Sequence, residues 1–361
     1  MRDYEIAKID PNFRLISGLP EEISWHSCQE APIQVSGLAV CQGQRFWRLP
    51  GSVSSKISEN VDLLAKHTAG GRLRFRTDSP YVALQVRLLT GGLMPHMPLS
   101  GKSGCDIYLG SLPSVYKKSA FPADESQETY EALLYKAAEL EEVTVNLPLY
   151  NGVKAVQIGI SPQAQLAGPT PYALPLPIVY YGSSITQGGC ASRPGNSYQA
   201  ILTRRLNVDH LNLGFSGSAK GEPAMAQYIA GLAMSAFVLD YDHNALTRED
   251  LAATHERFFQ IVSARQPELP VIMVSKPDFE TVNVERDYDA RDSAARREII
   301  RRTYEHAKAA GYENVWFVDG EKLFGACGRD SCTVDGTHPN DLGFMRMAES
   351  LEPILRQALR L

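Results

Sequence analysis

The chain has no C-x-x-C pair and no regular cysteine framework: Cys28, Cys41, Cys105, Cys190, Cys327 and Cys332 are scattered through 361 residues. That excludes a small disulfide-stapled scaffold and leaves no cysteine pattern for structural zinc. A reducing compartment, the cytoplasm, is the expectation, with Cys327 and Cys332 alone close enough in sequence for a local bridge. Positive charge is not in surplus, since 36 lysines and arginines stand against 41 acidic residues for a net charge of -5. Composition therefore gives no case for nucleic-acid binding. No apolar run approaches the roughly 18 residues of a membrane-spanning helix, so no membrane partner is expected. The opening MRDYEIAKIDPNFRLISG lacks the charged, apolar and small-residue succession of a secretion signal. G-x-G-x-x-G, a Walker loop, H-E-x-x-H and G-x-S-x-G are also missing. Neither a cofactor nor a metal is signalled, and the nucleophile elbow of α/β-hydrolases is absent.

What is present is an ordinary globular composition, 44% hydrophobic and 21% charged, in a chain long enough for two domains. The first half carries short β-favouring stretches at Ala39 to Trp47, Gly71 to Phe75, Tyr81 to Leu88, Val115 to Tyr116 and Val143 to Leu147, which suggest a sandwich. The alanines and glutamates of Glu125 to Glu142 suit a helix or a surface loop. PQAQLAGPTPYALPLP, from Pro162 to Pro177, can continue neither a helix nor a central strand. It divides the chain into residues 1–170 and 171–361.

Beyond it, strand candidates at Ile178 to Tyr181, His210 to Leu213, Phe237 to Asp240, Val271 to Val274 and Val315 to Val318 alternate with helical intervals. Leu251, His255, Phe258, Phe259 and Val262 form one helical face, and Ala295, Ile299, Ala307 and Ala310 another. A last helix beginning near Asn340 is expected to turn Met345, Ala348, Leu351 and Leu355 toward the sheet. This alternation predicts a parallel three-layer α/β domain with its site at the carboxyl ends of the strands.

YYGSSITQGG follows the first of these strands and places Ser184 where a hydroxyl can emerge at the sheet edge as a nucleophile. DSCTVDGTHPNDLGF, near the chain end, sets Asp335 three positions before His338, so that the carboxylate can orient one imidazole nitrogen while the other faces a serine. Asp330 is an alternative carboxylate. LNLGFSGSAKG offers the Gly217 backbone N–H and LDYDHNA the Asn244 amide, which with the Ser184 N–H make three candidate oxyanion donors. Asp240, Asp242 and His243 with Asp335 and His338 could also be read as metal ligands, although the esterase roles explain them more economically. Phe215, Tyr241, Phe279 and Trp316 are candidate aromatic walls for a sugar or acyl group, although core or loop packing is the first reading of each.

The blocks GSSIT, LGFSG, YDHNA and DGTHP, in this order, resemble those of the GDSL/SGNH hydrolase superfamily over residues 171–361. The resemblance implies a flavodoxin-like parallel sheet and a serine esterase with Ser184, His338 and Asp335 catalytic and Ser184, Gly217 and Asn244 at the oxyanion. Ser183 stands where the family often has aspartate, and DHNA replaces the common G-x-N-D. GCDIYLG, with Gly104, Asp106 and Tyr108, resembles the GxDLY signature of a jelly-roll-like β-sandwich that precedes one group of these hydrolases. Associations of that group include carbohydrate deacetylation. An acetylated oligosaccharide or other small ester is thus the expected substrate. A short-chain lipid or aryl esterase and a noncatalytic carbohydrate-binding or interaction protein are the alternatives. The sandwich could cover the substrate, lend loops to the cleft or form a homo-oligomer interface.

Overall fold

A computed structural model describes residues 6–10, 18–89, 92–277 and 290–361. In the amino-terminal half, β1 (Ser24–Ser27), β2 (Gln34–Ser36), β3 (Val40–Gln42), β4 (Arg45–Trp47), β5 (Arg72–Thr77), β6 (Tyr81–Leu88), β7 (Cys105–Leu109), β8 (Val115–Ala120), β9 (Thr129–Tyr135), β10 (Glu141–Asn146), β11 (Val153–Ile160) and β12 (Leu166–Ala167) are antiparallel. One sheet runs β1-β11-β6-β9 and another β12-β5-β10-β7-β8, with β2 also on β5. Leu73, Phe75, Val82, Leu84, Val86, Ile107, Val143, Val145 and Ile158 fill a shared core, as a sandwich requires. Residues 129–135 form a strand, contrary to the helix or loop expected there, while 141–146 form the strand expected at Val143 to Leu147, begun two residues earlier. Tyr130 and Ala132 point inward while Thr129 and Glu131 face solvent, a period of two that the helix-forming composition conceals. Ala39 to Trp47 is not one strand but the β3–β4 hairpin.

The carboxy-terminal half adds β13 (Ile178–Gly182), β14 (His210–Gly214), β15 (Ala236–Asp240), β16 (Val271–Val274) and β17 (Val315–Val318) in one fully parallel sheet, ordered β14-β13-β15-β16-β17. This is the flavodoxin-like order, and it places the topological switch beside the carboxyl end of β13. Alternation along the strands builds both outer layers. Ile178, Tyr180, Ala236 and Val238 meet the helices Tyr198–Leu206 and Asp341–Leu359; Val179, Tyr181, Phe237 and Leu239 meet Pro223–Ala230, Arg248–Arg265 and Ala290–Ala309. The side chain of Asn340 caps the final helix by accepting from Gly343 N–H at 3.1 Å. Ala348, Leu351 and Leu355 on that helix are buried as expected, whereas Met345 is exposed and Phe344 and Met347 are buried in its place.

The two halves are joined by buried polar contacts. Arg48, with no exposed surface, donates to the carbonyls of Asn212 (3.0 Å) and Gly214 (2.6 Å) at the end of β14, and to His67 and Leu64 on its own side. Four backbone acceptors satisfy a buried cation that has no carboxylate partner among these contacts. Burial lowers its basicity to about 9, which still leaves it charged at neutral pH. Arg72 pairs with Asp209 and donates to His210 O at 2.9 Å. The Asp106 carboxylate, fully buried, accepts from Asn146 Nδ2 and Gly195 N–H, both at 2.7 Å, and from Arg193 at 3.2 Å. Tyr108 also receives a hydrogen bond from Arg193. The Asp and Tyr of the GCDIYLG motif therefore clamp the segment that follows Ser184. A Cβ on Gly195 would collide with both side chains.

Candidate functional site

β13 ends at Gly182, whose Cβ position is occupied by the Thr186 hydroxyl and the Asp240 carbonyl, so only glycine admits the sharp exit of the chain there. The side chain of Ser183 then accepts from Ile185 N–H at 3.2 Å and opens the single helical turn Ser184–Gln187. Serine here fills the N-cap role that an aspartate would also fill. Ser184 is the first residue of the turn and is 8% exposed.

Across from it, the loop before the final helix delivers the imidazole. His338 Nε2 lies 2.9 Å from Ser184 Oγ, and His338 Nδ1 lies 2.7 Å from Asp335 Oδ2. Asp335 Oδ1 also accepts from the backbone N–H groups of Thr337 (3.0 Å) and His338 (2.8 Å), which fixes the carboxylate relative to the ring. Burial acts to raise the Asp335 carboxyl, but the hydrogen bonds from His338 and Thr337 outweigh it and hold it at about 2. It is an anion at neutral pH. It thereby favours the tautomer that carries its proton on Nδ1 and leaves the Nε2 lone pair to receive one from Ser184.

The candidate oxyanion donors lie on the neighbouring strand ends. Asn244 follows β15 and donates one amide N–H to Phe215 O at 2.8 Å, tying the third sequence block to the second and leaving its other N–H free of that bond. Gly217 follows β14 at φ +64° with open space where a Cβ would stand. Its loop is anchored by Gln187, which accepts from Ser216 N–H at 3.1 Å, and from the opposite half by Arg48, stacked 4.7 Å over the Phe215 ring.

Other sequence candidates are placed elsewhere. Asp240 is buried and accepts from Tyr198 (2.9 Å) and Thr186 (3.1 Å), while Asp242 accepts from Lys276 N–H (3.0 Å) and pairs with Arg296. Neither carboxylate joins His338. His243 is held neutral by burial, reinforced by Lys276 and His338. Phe215 and Tyr241 belong to the core; Trp316 is partly buried against it, and Phe279 lies outside the described residues. Cys327 and Cys332 are both free thiols.

Sequence reasoning missed the contributions of the amino-terminal half. Tyr150 Oη donates to Ser184 O at 3.1 Å, and His96 stands over the His338 ring with centroids 5.8 Å apart. Arg48 stands in the sequence as a cation inside the otherwise apolar FWRLP, and Asp106 and Tyr108 stand within GCDIYLG, whereas Tyr150 and His96 carry no such signal.

A model of the GDSL-like lipase/acylhydrolase family matches residues 176–356, and a model of the N-terminus of SGNH-hydrolase-type esterases, GxDLY, matches residues 23–166. The chain belongs to the GDSL-like lipase/acylhydrolase family and is a serine hydrolase of the GDSL/SGNH type, active on esters. No curated protein matches it. Among solved structures it is similar to a Bacteroides ovatus protein described as a GDSL-like lipase, at 27% identity and TM-score 0.83 over 94% of this chain and 98% of that one. A salicylyl-acyltransferase from a tetracycline biosynthetic pathway aligns over the same shares at 21% identity and TM-score 0.78. A family two carbohydrate esterase from Cellvibrio japonicus does so at 14% and 0.59. These last two share the fold. Among the described residues no helix is long and apolar enough to cross a membrane.

Proposed function

We propose that the protein removes O-acetyl groups from carbohydrates through an acyl-serine intermediate, with residues 1–170 as an accessory unit and 171–361 as the catalytic one. The observation that carries this reading is the hydrogen-bonded chain Ser184–His338–Asp335. His338 Nε2 takes the hydroxyl proton as Ser184 Oγ attacks the ester carbonyl, and Asp335 stabilises the resulting imidazolium without itself taking the proton. The oxyanion forms toward the N–H groups of Ser184 and Gly217 and the Asn244 amide. His338 returns the proton to the departing alcohol, then activates water to release acetate.

Close packing fixes the turn that carries the nucleophile. A Cβ on Gly189 would stand 3.0 Å from Tyr150 Oη, 3.1 Å from Ser184 O and 3.2 Å from His338 Cδ2. The two-part architecture shared with the family two carbohydrate esterase supports a carbohydrate as the alcohol. The test is acetate release from acetylated manno- and xylo-oligosaccharides, with a p-nitrophenyl acyl-chain series alongside. Release that disappears in a folded Ser184→Ala variant is expected. Turnover confined to the longer p-nitrophenyl esters would replace the carbohydrate assignment with a lipid or aryl esterase.

A further inference from the structure

A second cluster of chemistry-bearing side chains adjoins the triad and shares its histidine. A ring nitrogen of His96, the Sγ of Cys190 and a ring nitrogen of His338 lie within 4.8 Å of one another. The three come from separate parts of the chain. His96 belongs to a turn of the amino-terminal half closed by Met97 N–H to Met94 O at 3.1 Å and pinned by the buried Met97 side chain; the imidazole itself is exposed. Cys190 follows the Ser184 turn and is buried in a left-handed conformation at φ +72° that nonglycine residues rarely adopt. That conformation aims its thiol at the triad side of the turn, where Gly189 packs on His338.

We propose that His96, Cys190 and His338 form an inhibitory binding site for a borderline-soft divalent cation, Zn2+ being the probe. Two imidazoles and a thiolate are the donor set that such ions select over Mg2+ or Ca2+, and three ligands with one open position make a tetrahedral zinc site. Ligand atoms around one zinc ion sit about 2.0 to 2.3 Å from the metal, so the cluster needs a modest closure, toward which the exposed His96 side chain is free to turn. Binding releases one proton to solvent as the Cys190 S–H bond is replaced by a sulfur–metal bond. Without metal the thiol stays protonated, because burial, with the nearby Asp335 charge, pushes it up to about 12.

Inhibition follows whichever nitrogen of His338 the metal takes. Capture of Nε2 removes the lone pair that receives the Ser184 proton, and capture of Nδ1 breaks the 2.7 Å contact with Asp335. The inhibition rests on the esterase reading above; the binding of metal does not.

Two readouts keep these apart. p-Nitrophenyl acetate hydrolysis by the full chain is titrated with chelator-buffered Zn2+, and Co2+ binding is followed by thiolate-to-metal charge-transfer absorbance. Expected are inhibition reversed by EDTA, no inhibition by Mg2+, and a cobalt thiolate band absent from Cys190→Ser. His96→Ala, at an exposed position that does not endanger folding, should move the inhibitory Zn2+ concentration up by about tenfold or more, measured against that variant's own metal-free rate. A cobalt band in a preparation without esterase activity would uphold the metal site and count against the esterase reading alone. Absence of that band from wild type, or equal zinc sensitivity of wild type and His96→Ala, would overturn the proposal.

Discussion

Ser184 is a weak nucleophile until a base and a charge-accepting pocket surround it, so the effects of substitution should differ by role. Ser184→Ala is expected to lower kcat by about 10⁴-fold or more while leaving the melting temperature close to wild type, as read by p-nitrophenyl acetate turnover and calorimetry. Asn244→Ala should cost about 10²- to 10³-fold in kcat with little change in KM, since the amide acts on charge that develops only in the transition state. Asp240 makes a different prediction, about pH and stability. Burial raises its carboxyl from 3.8 to about 7 against the opposing hydrogen bonds from Tyr198 and Thr186. The folded protein thus holds a proton that the unfolded chain releases between those two values. The stability associated with that proton is fully present below the lower value and is lost as pH rises through the upper one. Asp240→Asn keeps an acceptor for Tyr198 and Thr186 but cannot ionise. Its melting temperature relative to wild type should rise on going from about pH 5 to about pH 8. A constant difference across that range would show that Asp240 does not titrate there.

At the scale of elements, the candidate site is a set of strand ends locked together by side-chain hydrogen bonds from neighbouring elements. Arg48 holds the carbonyls of Asn212 and Gly214, Gln187 holds Ser216, and Asn244 holds Phe215, so the loop proposed to carry the oxyanion donor Gly217 is fixed from three directions. Arg48→Met leaves four carbonyls without this donor and should reduce stability by about 3 kcal/mol. It should also reduce kcat by about 10- to 100-fold at nearly constant KM, the signature of a displaced loop; a fall in stability alone would make Arg48 purely structural. The parallel strands were legible because they are short, doubly buried apolar runs such as Val271–Val274, and the first three blocks because each sits where a strand ends, whereas DGTHP lies in the loop before the final helix. Strand β9 was not, since alanine, leucine and glutamate in Glu131–Leu134 favour a helix locally, and only pairing with β6 imposes the extended form. The exposure of Met345 was equally hidden, because its helix presents apolar side chains at adjacent positions.

Across the whole molecule, the amino-terminal half is part of the site's support. Tyr150 bonds the carbonyl of Ser184, Asp106 holds the segment at Gly195, and the Ser100 hydroxyl donates to Ser192 O at 2.6 Å. None of these partners could be paired from sequence, because each contact spans tens of residues and no periodicity encodes it. Asp106→Ala strands Arg193, Asn146 and the Gly195 N–H together, and a loss of about 3 to 5 kcal/mol in unfolding free energy is expected by denaturant titration. The claim on which all of this depends is that Ser184 carries the acyl group. Its most direct test is labelling with a fluorophosphonate, which transfers its phosphonyl group to an activated serine with loss of fluoride, followed by peptide mapping and residual ester turnover. A single adduct on Ser184, formed in proportion to the loss of hydrolysis and absent after His338→Ala, is predicted. Hydrolysis that persists when Ser184 is fully modified, or inactivation through an adduct on another residue, would contradict it.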